Sequence, residues 1–154
     1  MEGLAKIKPQ SLADYLEVMS KSVFQTGISW KVVEAKWPGI KDAFHGFDPR
    51  AISKLTIREI DKLVEDKRII RNRRKVEAIL GNARRILELE ASYGSFQKYL
   101  RSFNSFKDLT KDLHKQFKYL GEMGAYYFLW VVNEKVPSWE EWSARHGIES
   151  EAHH

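Results

Sequence analysis

The stretch DKRIIRNRRKVEAILGNARR, Asp66 to Arg85, places a dense basic segment directly before a helical apolar pattern. Cations are mildly unfavourable at a helix N-terminus, where the helix dipole is positive, so their clustering there suggests that a bound anion compensates. Backbone N–H groups at such a helix start also suit phosphate oxygens. We expect Ile69 and Ile70 to pack this segment on the core. The cations predicted to bind phosphates are Lys67, Arg68, Arg71, Arg73, Arg74 and Lys75.

The surrounding sequence predicts a single compact all-α domain over residues 1–152, with about eight helices and no strand. The longest helix is expected over Arg73–Glu90, with its apolar residues on one stripe and Gly94 as its stop. MGAYYFLWVV, Met123 to Val132, is apolar nearly all round and should be the central buried helix. Capping patterns predict further helix starts at Ser11, Thr56, Ser95, Thr110 and Ser138.

Two joints interrupt this pattern in the first third of the chain. A helix from about Ser29 is expected to end near Trp37, because Pro38 disfavours helical geometry in the residue before it. FHGFDP, residues 44–49, is then expected to form a turn.

The composition limits the class of protein. The 154 residues are 43% hydrophobic and 31% charged, which describes a chain able to bury a core. The 26 Lys and Arg residues give a formal net charge of +5, which favours a polyanionic partner. No Walker, GxGxxG or GxSxG motif supports a nucleotide-binding or serine-hydrolase class.

Metal and membrane functions also lack support in the sequence. The chain has no cysteine, which excludes disulfides and thiolate zinc or iron–sulfur sites. His45, His114 and His146 are too dispersed for a metal motif, so we predict no metal and no cofactor. We find no membrane-length apolar run and no signal-peptide core, and we expect a cytoplasmic protein. His153 and His154 resemble an affinity-tag remnant and are excluded as ligands.

Trp30 is the aromatic residue that we assign to a pocket wall. In FQTGISW, residues 24–30, small and polar side chains of the kind that line a cleft mouth surround it. A flipped base stacks on such an aromatic face, and a cationic alkylated base gains cation–π attraction as well. For the other aromatic residues of the first third, core packing is the simpler explanation. Among the carboxylates, Glu122 and Glu134 are the two that we expect to face a pocket.

Several segments together resemble the DNA-3-methyladenine glycosylase I group of the helix-hairpin-helix glycosylase superfamily. They are FQTGISW, AFHGFDPRAIS, IIRNRRKVEAILGNARRILELEASYGSFQKYLRSF and LTKDLHKQFKYLG, and the resemblance covers about Leu16 to Tyr126. It implies an all-α fold with a base pocket in a cleft. Trp30 falls on the residue that stacks against the excised base, and Gly27 and Ile28 on the loop that probes the gap left by the flipped nucleotide. Ile69 to Lys75 fall on the DNA-binding hairpin region. Together with the basic cluster, the residues predicted to bind DNA here are Lys67, Arg68, Ile69, Arg71, Asn72, Arg73 and Lys75.

The chain departs from that family at three places. Ser22 stands where the family has an acidic residue that contacts the methylated base. The aromatic-rich N-terminal segment and the Cys and His zinc site are also missing. Ser22 cannot stabilise an oxocarbenium-like state by charge. A 3-methylated adenine is already cationic and leaves as a neutral base, so the enzyme need contribute less than for an ordinary nucleobase.

We therefore predict a monofunctional DNA glycosylase that hydrolyses the N-glycosidic bond of a modified purine. Trp30 would stack on the base, Ser22 and Gln25 would hydrogen-bond its edge, and Glu122 and Glu134 are the candidate catalytic carboxylates. The expected partner is double-stranded DNA with a damaged base, and we expect a monomer. Two alternatives remain: a catalytically inactive module that binds damaged DNA, and a helical protein-interaction domain without DNA affinity.

Overall fold

The computed structural model describes residues 5–147, and the possible tag at residues 153–154 lies outside this range. Within these residues the chain forms nine α-helices, a short 3-10 turn at His45–Phe47 and no strand, which confirms the predicted all-α class. The helices are α1 (Leu12–Gln25), α2 (Trp30–Ala43), α3 (Pro49–Ser53), α4 (Ile57–Val64), α5 (Arg73–Tyr93), α6 (Phe96–Leu100), α7 (Phe106–Gln116), α8 (Glu122–Val131) and α9 (Trp139–Arg145).

Most predicted helix starts are confirmed by capping hydrogen bonds. The capping box before α4 is reciprocal, because Glu59 N donates to Thr56 Oγ1 at 3.2 Å and Thr56 N donates to Glu59 Oε1 at 2.9 Å. Ser95 and Ser138 accept from the backbone N–H groups that begin α6 and α9. The long helix α5 runs three residues beyond the predicted Glu90 and ends at Gly94, whose φ of +90° suits glycine.

The predicted end of α2 near Trp37 is wrong. Pro38 lies inside the helix, which continues to Ala43. A proline at this position removes one backbone hydrogen bond. The same turns bury Trp37, Ile40 and Ala43 in the core, and this apolar burial offsets the loss.

Two further sequence predictions need correction. Thr110 does not begin a helix, because α7 starts earlier with Ser105, whose Oγ accepts from Asp108 N at 3.1 Å. The predicted turn at residues 44–49 contains the 3-10 turn and also the start of α3, which we did not predict. Asp48 caps α3 and Pro49 occupies its first turn, an arrangement that favours helix initiation.

The buried side chains form two clusters that meet along α5. The first cluster lies under α1, α2 and α4, and its centre is a stack in which Phe47 packs between Trp37 and Phe44, with ring centroids 5.2 and 5.3 Å apart. The second cluster surrounds α8, whose Ala125, Phe128 and Leu129 are buried, as predicted for the apolar segment.

No helix among residues 5–147 is long and apolar enough to cross a membrane. The same residues contain no group of three or more His, Asp or Glu side chains that could hold a metal ion.

Most of the predicted site residues lie in or beside two connections between helices. Residues 26–29 join α1 to α2, and residues 65–72 join α4 to α5. Both connections pack on the first core cluster, through Ile28 and Trp30 on one side and through Ile69 and Ile70 on the other.

Candidate functional site

A cleft of about 710 Å³ lies between α1, α2, α8 and the N-terminal segment. The segment approaches α8 through a hydrogen bond from Ile7 N to Val131 O of 2.7 Å. Trp30, Ser22 and Gln25, the three residues predicted for the base pocket, all line this cleft. The structure therefore brings together side chains that the sequence analysis assigned to one pocket.

Each main wall of the cleft is one face of a helix. The wall from α1 consists of Asp14, Glu17, Val18, Lys21, Ser22 and Gln25, and the wall from α2 of Trp30, Glu34, Trp37, Pro38 and Lys41. Residues three or four apart on a helix share a face, so both spacings are those of a single stripe. Glu17, Lys21 and Glu34 are charged residues of these walls that were not among the predicted site residues. Their helical spacing from Ser22 and Trp30 is the signal that could have identified them.

Trp30 is half-buried at the start of α2, and Ser29 caps this helix by accepting from Val32 N at 3.3 Å. The indole N–H of Trp30 is buried without a hydrogen-bond acceptor among the described residues. A buried unpaired donor is costly, and such groups concentrate at strained or functional positions.

Two contacts fix the side chain of Glu17 in the cleft lining. Its Oε2 accepts a hydrogen bond from Trp37 Nε1 at 2.9 Å, and its Oε1 lies 3.1 Å from Lys41 Nζ. Its side chain is only 16% exposed, so this carboxylate is held in one position by two partners. Glu17 and Glu34 thus supply negative charge to a cleft in which position 22 is neutral.

The two predicted catalytic carboxylates lie in different surroundings. Glu122 is exposed at the start of α8 and lines a second, smaller cleft, which shares Ser22 and Gln25 with the first. Its Oε2 lies 3.5 Å from His146 Nε2. Glu134 is buried and forms a two-point contact with Arg101, whose Nε and Nη2 lie 3.0 and 3.1 Å from its oxygens. The structure does not bring Glu134 to either cleft.

A Glu134→Gln variant is expected to lose stability and keep its activity. The change removes the charge that Arg101 contacts, and because Arg101 is 58% exposed we expect a loss of about 1 to 2 kcal/mol. Denaturant unfolding measures the loss, and base release per folded molecule should stay at the wild-type rate. A variant of normal stability that releases base much more slowly would show that Glu134 takes part in catalysis.

The basic connection between α4 and α5 presents exposed guanidinium groups that are paired with carboxylates. Arg68 contacts Asp66 and Asp42, and its hydrogen bonds hold the pKa of the Asp66 carboxyl below its usual value. Arg73 lies 2.6 Å from Asp61 and 3.6 Å from Glu77, and Arg71 Nη1 lies 3.9 Å from Glu65. A phosphate that binds here would compete with these exposed pairs, each of which is weak in water.

Two polar residues of this segment, Asn72 and Lys75, form hydrogen bonds that stabilise the fold. Asn72 caps α5, because its Oδ1 accepts from Lys75 N at 3.2 Å. Lys75 is only 5% exposed, and its ammonium donates to Thr26 O at 2.5 Å and to Phe24 O at 3.2 Å. Burial lowers the pKa of Lys75. The predicted contact of Lys75 with phosphate does not fit this position, since its charge faces the turn before Trp30.

That turn has the geometry of a tight reversal between two helices. Gly27 has a φ of +79° with open space around it, and Ile28 N donates to Gln25 O at 2.9 Å. Ile28 is half-buried against the first core cluster. Lys75 therefore connects the start of α5 to the turn that precedes the cleft.

The order and packing of these helices define an α-helical glycosylase fold. The structure of 3-methyladenine DNA glycosylase I from Staphylococcus aureus superposes with a TM-score of 0.73 at 25% identity, covering 85% of this chain and 81% of that one. A variant 3-methyladenine DNA glycosylase I solved in complex with 3-methyladenine gives a TM-score of 0.71 at 26% identity, covering 85% and 82%.

The chain belongs to the methyladenine glycosylase family, whose sequence profile matches residues 9–131. This confirms the resemblance found in the sequence. A DNA-3-methyladenine glycosylase of Haemophilus influenzae is 37% identical over 89 residues, which are 58% of this chain and 48% of that protein. DNA-3-methyladenine glycosylase 1 of Escherichia coli is 38% identical over 79 residues, 51% of this chain and 42% of that protein. The chain thus matches about half the length of these curated relatives.

Proposed function

We propose that this chain is a DNA glycosylase that flips a modified purine of the 3-methyladenine type and hydrolyses its N-glycosidic bond. The observation that carries the proposal is the cleft in which Trp30, Ser22 and Gln25 meet, in a chain of the methyladenine glycosylase family. A structural neighbour was solved with 3-methyladenine bound, which supports this class of base. The products would be the free base and an abasic site.

The side chains of the cleft have distinct roles in this proposal. Trp30 stacks on the flipped base, and the hydroxyl of Ser22 and the amide of Gln25 hydrogen-bond its edge. A methylated adenine that carries a positive charge leaves as a neutral base, so the protein need stabilise only part of the transition state. The negative charge for the oxocarbenium-like sugar would come from the carboxylates at the two clefts. Of the two predicted catalytic residues, Glu122 is the candidate, since it lines the second cleft together with Ser22 and Gln25.

Double-stranded DNA would bind across the connection between α4 and α5, which is consistent with a helix-hairpin-helix. The exposed cations Lys67, Arg71 and Arg73 and the N–H groups at the start of α5 would contact phosphates. Such contacts fix the position of the duplex and carry no sequence information. Ile28 would occupy the gap beside the flipped nucleotide, and a monomer suffices for this arrangement.

Release of base from a panel of lesion-bearing duplexes tests the enzyme against the inactive-module alternative. The proposed enzyme releases free base and creates abasic sites. An inactive module would bind an abasic-site analogue and release nothing from any lesion. Membership of the methyladenine glycosylase family favours the enzyme.

An Arg71→Glu/Arg73→Glu double variant is expected to bind DNA about 10- to 100-fold more weakly at low salt. Its log–log salt slope should fall by about 1 for each phosphate contact that is lost. Fluorescence anisotropy with a labelled duplex across a salt series measures both quantities. The matched control is Arg84→Glu/Arg85→Glu, which reverses two exposed charges further along α5. An equal loss of DNA affinity in the control, or no loss in the first variant, would show that the connection between α4 and α5 does not bind DNA.

A further inference from the structure

The side chain of Lys21 lies at the aromatic wall of the Trp30 cleft. Its ammonium is 5.9 Å from the ring centroid of Trp30 and 5.4 Å from that of Trp37. Both distances lie within the range of a cation–π contact. A cation of the protein therefore occupies the surface on which a cationic base would seek the same contact.

Two of the three carboxylates that line the cleft have described partners, and the third, Glu34, forms no ion pair within residues 5–147. Glu17 contacts Trp37 and Lys41, and Asp14 accepts a hydrogen bond from Gln10 N at 2.7 Å. None of the ion pairs formed within residues 5–147 includes Lys21. The ammonium thus lies at the aromatic wall without an ion-pair partner among residues 5–147.

The residue next to Lys21 adds to this effect. Ser22 lines the same cleft and is neutral, at the position where the family resemblance implies an acidic residue that contacts the methylated base. An acidic residue there would attract a cationic base, whereas a lysine beside a serine repels it. The charge that contacts the two indole rings is therefore that of the Lys21 ammonium, while Glu17 and Glu34 supply carboxylates to the same cleft lining.

We propose that Lys21 is a specificity-determining residue that disfavours cationic purines in this cleft relative to neutral modified purines. The proposal rests on the glycosylase function proposed above and concerns how strongly the cleft favours cationic bases of the 3-methyladenine type over neutral ones. A cationic purine on Trp30 would lie a few ångströms from the ammonium and would have to displace it. A neutral purine would instead accept a hydrogen bond from the ammonium at a ring nitrogen or a carbonyl oxygen.

The discriminating quantity is the ratio of single-turnover release rates for 3-methyladenine, which is cationic in DNA, and for hypoxanthine, which is neutral. A Lys21→Met variant keeps the length of the side chain and removes its charge, so we expect this ratio to rise about tenfold or more. A Lys21→Arg variant keeps the charge and should leave the ratio within about twofold of wild type. The matched control is Lys31→Met, which neutralises an exposed lysine of α2 outside the cleft lining.

An unchanged ratio in Lys21→Met, or an equal rise in Lys31→Met, would overturn the role of Lys21. If the wild-type protein releases neither base, the proposed function fails, and ligand binding then tests Lys21 separately. Tryptophan fluorescence would report the affinities of 1-methyladenosine, cationic at neutral pH, and of adenosine, which is neutral. Removal of the charge should favour 1-methyladenosine by about tenfold relative to adenosine. An unchanged preference, or no binding of either nucleoside, would overturn the proposal.

Discussion

A Trp30→Ala variant is expected to release base about 10- to 100-fold more slowly than the wild-type protein. Stacking of a base on an aromatic side chain contributes about 1 to 3 kcal/mol, and each 1.4 kcal/mol changes a rate about tenfold. Trp30 lines the cleft at the start of α2, where its ring is half-buried. The change to alanine removes the surface on which the base would stack. Single-turnover release from methylated duplex DNA measures the effect.

A Trp130→Ala variant is the control for the loss of a tryptophan. Trp130 is also partly buried, but it lies outside the lining of the cleft and contacts Lys6. Its loss should lower stability and leave the release rate per folded molecule unchanged. If Trp30→Ala is as fast as wild type, or if both variants are slowed equally, Trp30 is not the stacking residue.

A Lys75→Met variant is expected to lose about 2 to 4 kcal/mol of stability, because it removes a charged donor from two carbonyl groups. Phe24 O and Thr26 O would then lack their contact with the ammonium in the turn before Trp30. Base release should fall about tenfold or more even where the variant is fully folded, since small displacements of a positioned group are costly. Denaturant unfolding and release assays at low temperature separate the two effects.

The matched control for this change is Lys67→Met, which removes an exposed lysine of the same basic segment. Its stability should stay within about 0.5 kcal/mol of wild type, as for most surface substitutions. Its DNA affinity should fall in proportion to one lost phosphate contact. Equal stabilities of the two variants would contradict the structural role assigned to Lys75.

Local signals in the sequence predicted most of the helices. Thr56 and Glu59 form a reciprocal cap, and the apolar stripe of α5 extends over the whole helix. Such caps depend on residues three apart, so they can be recognised without knowledge of the tertiary structure. The end of α2 could not be predicted in this way. The penalty of Pro38 is local, whereas the burial of Trp37 and Ile40 that offsets it depends on the packed fold.

The same distinction explains the outcome at the candidate site. Ser22, Gln25 and Trp30 lie close in sequence across one turn, so their meeting at a cleft could be expected. Lys75 was grouped with its exposed neighbours because it belongs to a basic run. Its position on α5 pointed inward, since Ile79 and Asn82, one and two turns later on the same face, are buried.

The burial of Glu134 depends on a contact that no sequence pattern marks. Its partner Arg101 lies 33 residues away, just after α6. The sequence prediction placed Glu134 at a pocket and assigned no role to Arg101. Only the folded chain brings Arg101 next to Glu134, in an ion pair whose carboxylate is buried and whose guanidinium is 58% exposed.

The most direct test of the proposed function is single-turnover incubation of the protein with methylated duplex DNA. Free 3-methyladenine and abasic sites would be quantified in the same sample against a control without protein. A hydrolytic glycosylase should produce the two in equal amounts, with the DNA strand left intact until the abasic sites are cleaved chemically. DNA that is bound by the protein and yields neither free base nor abasic sites above the control would contradict this account.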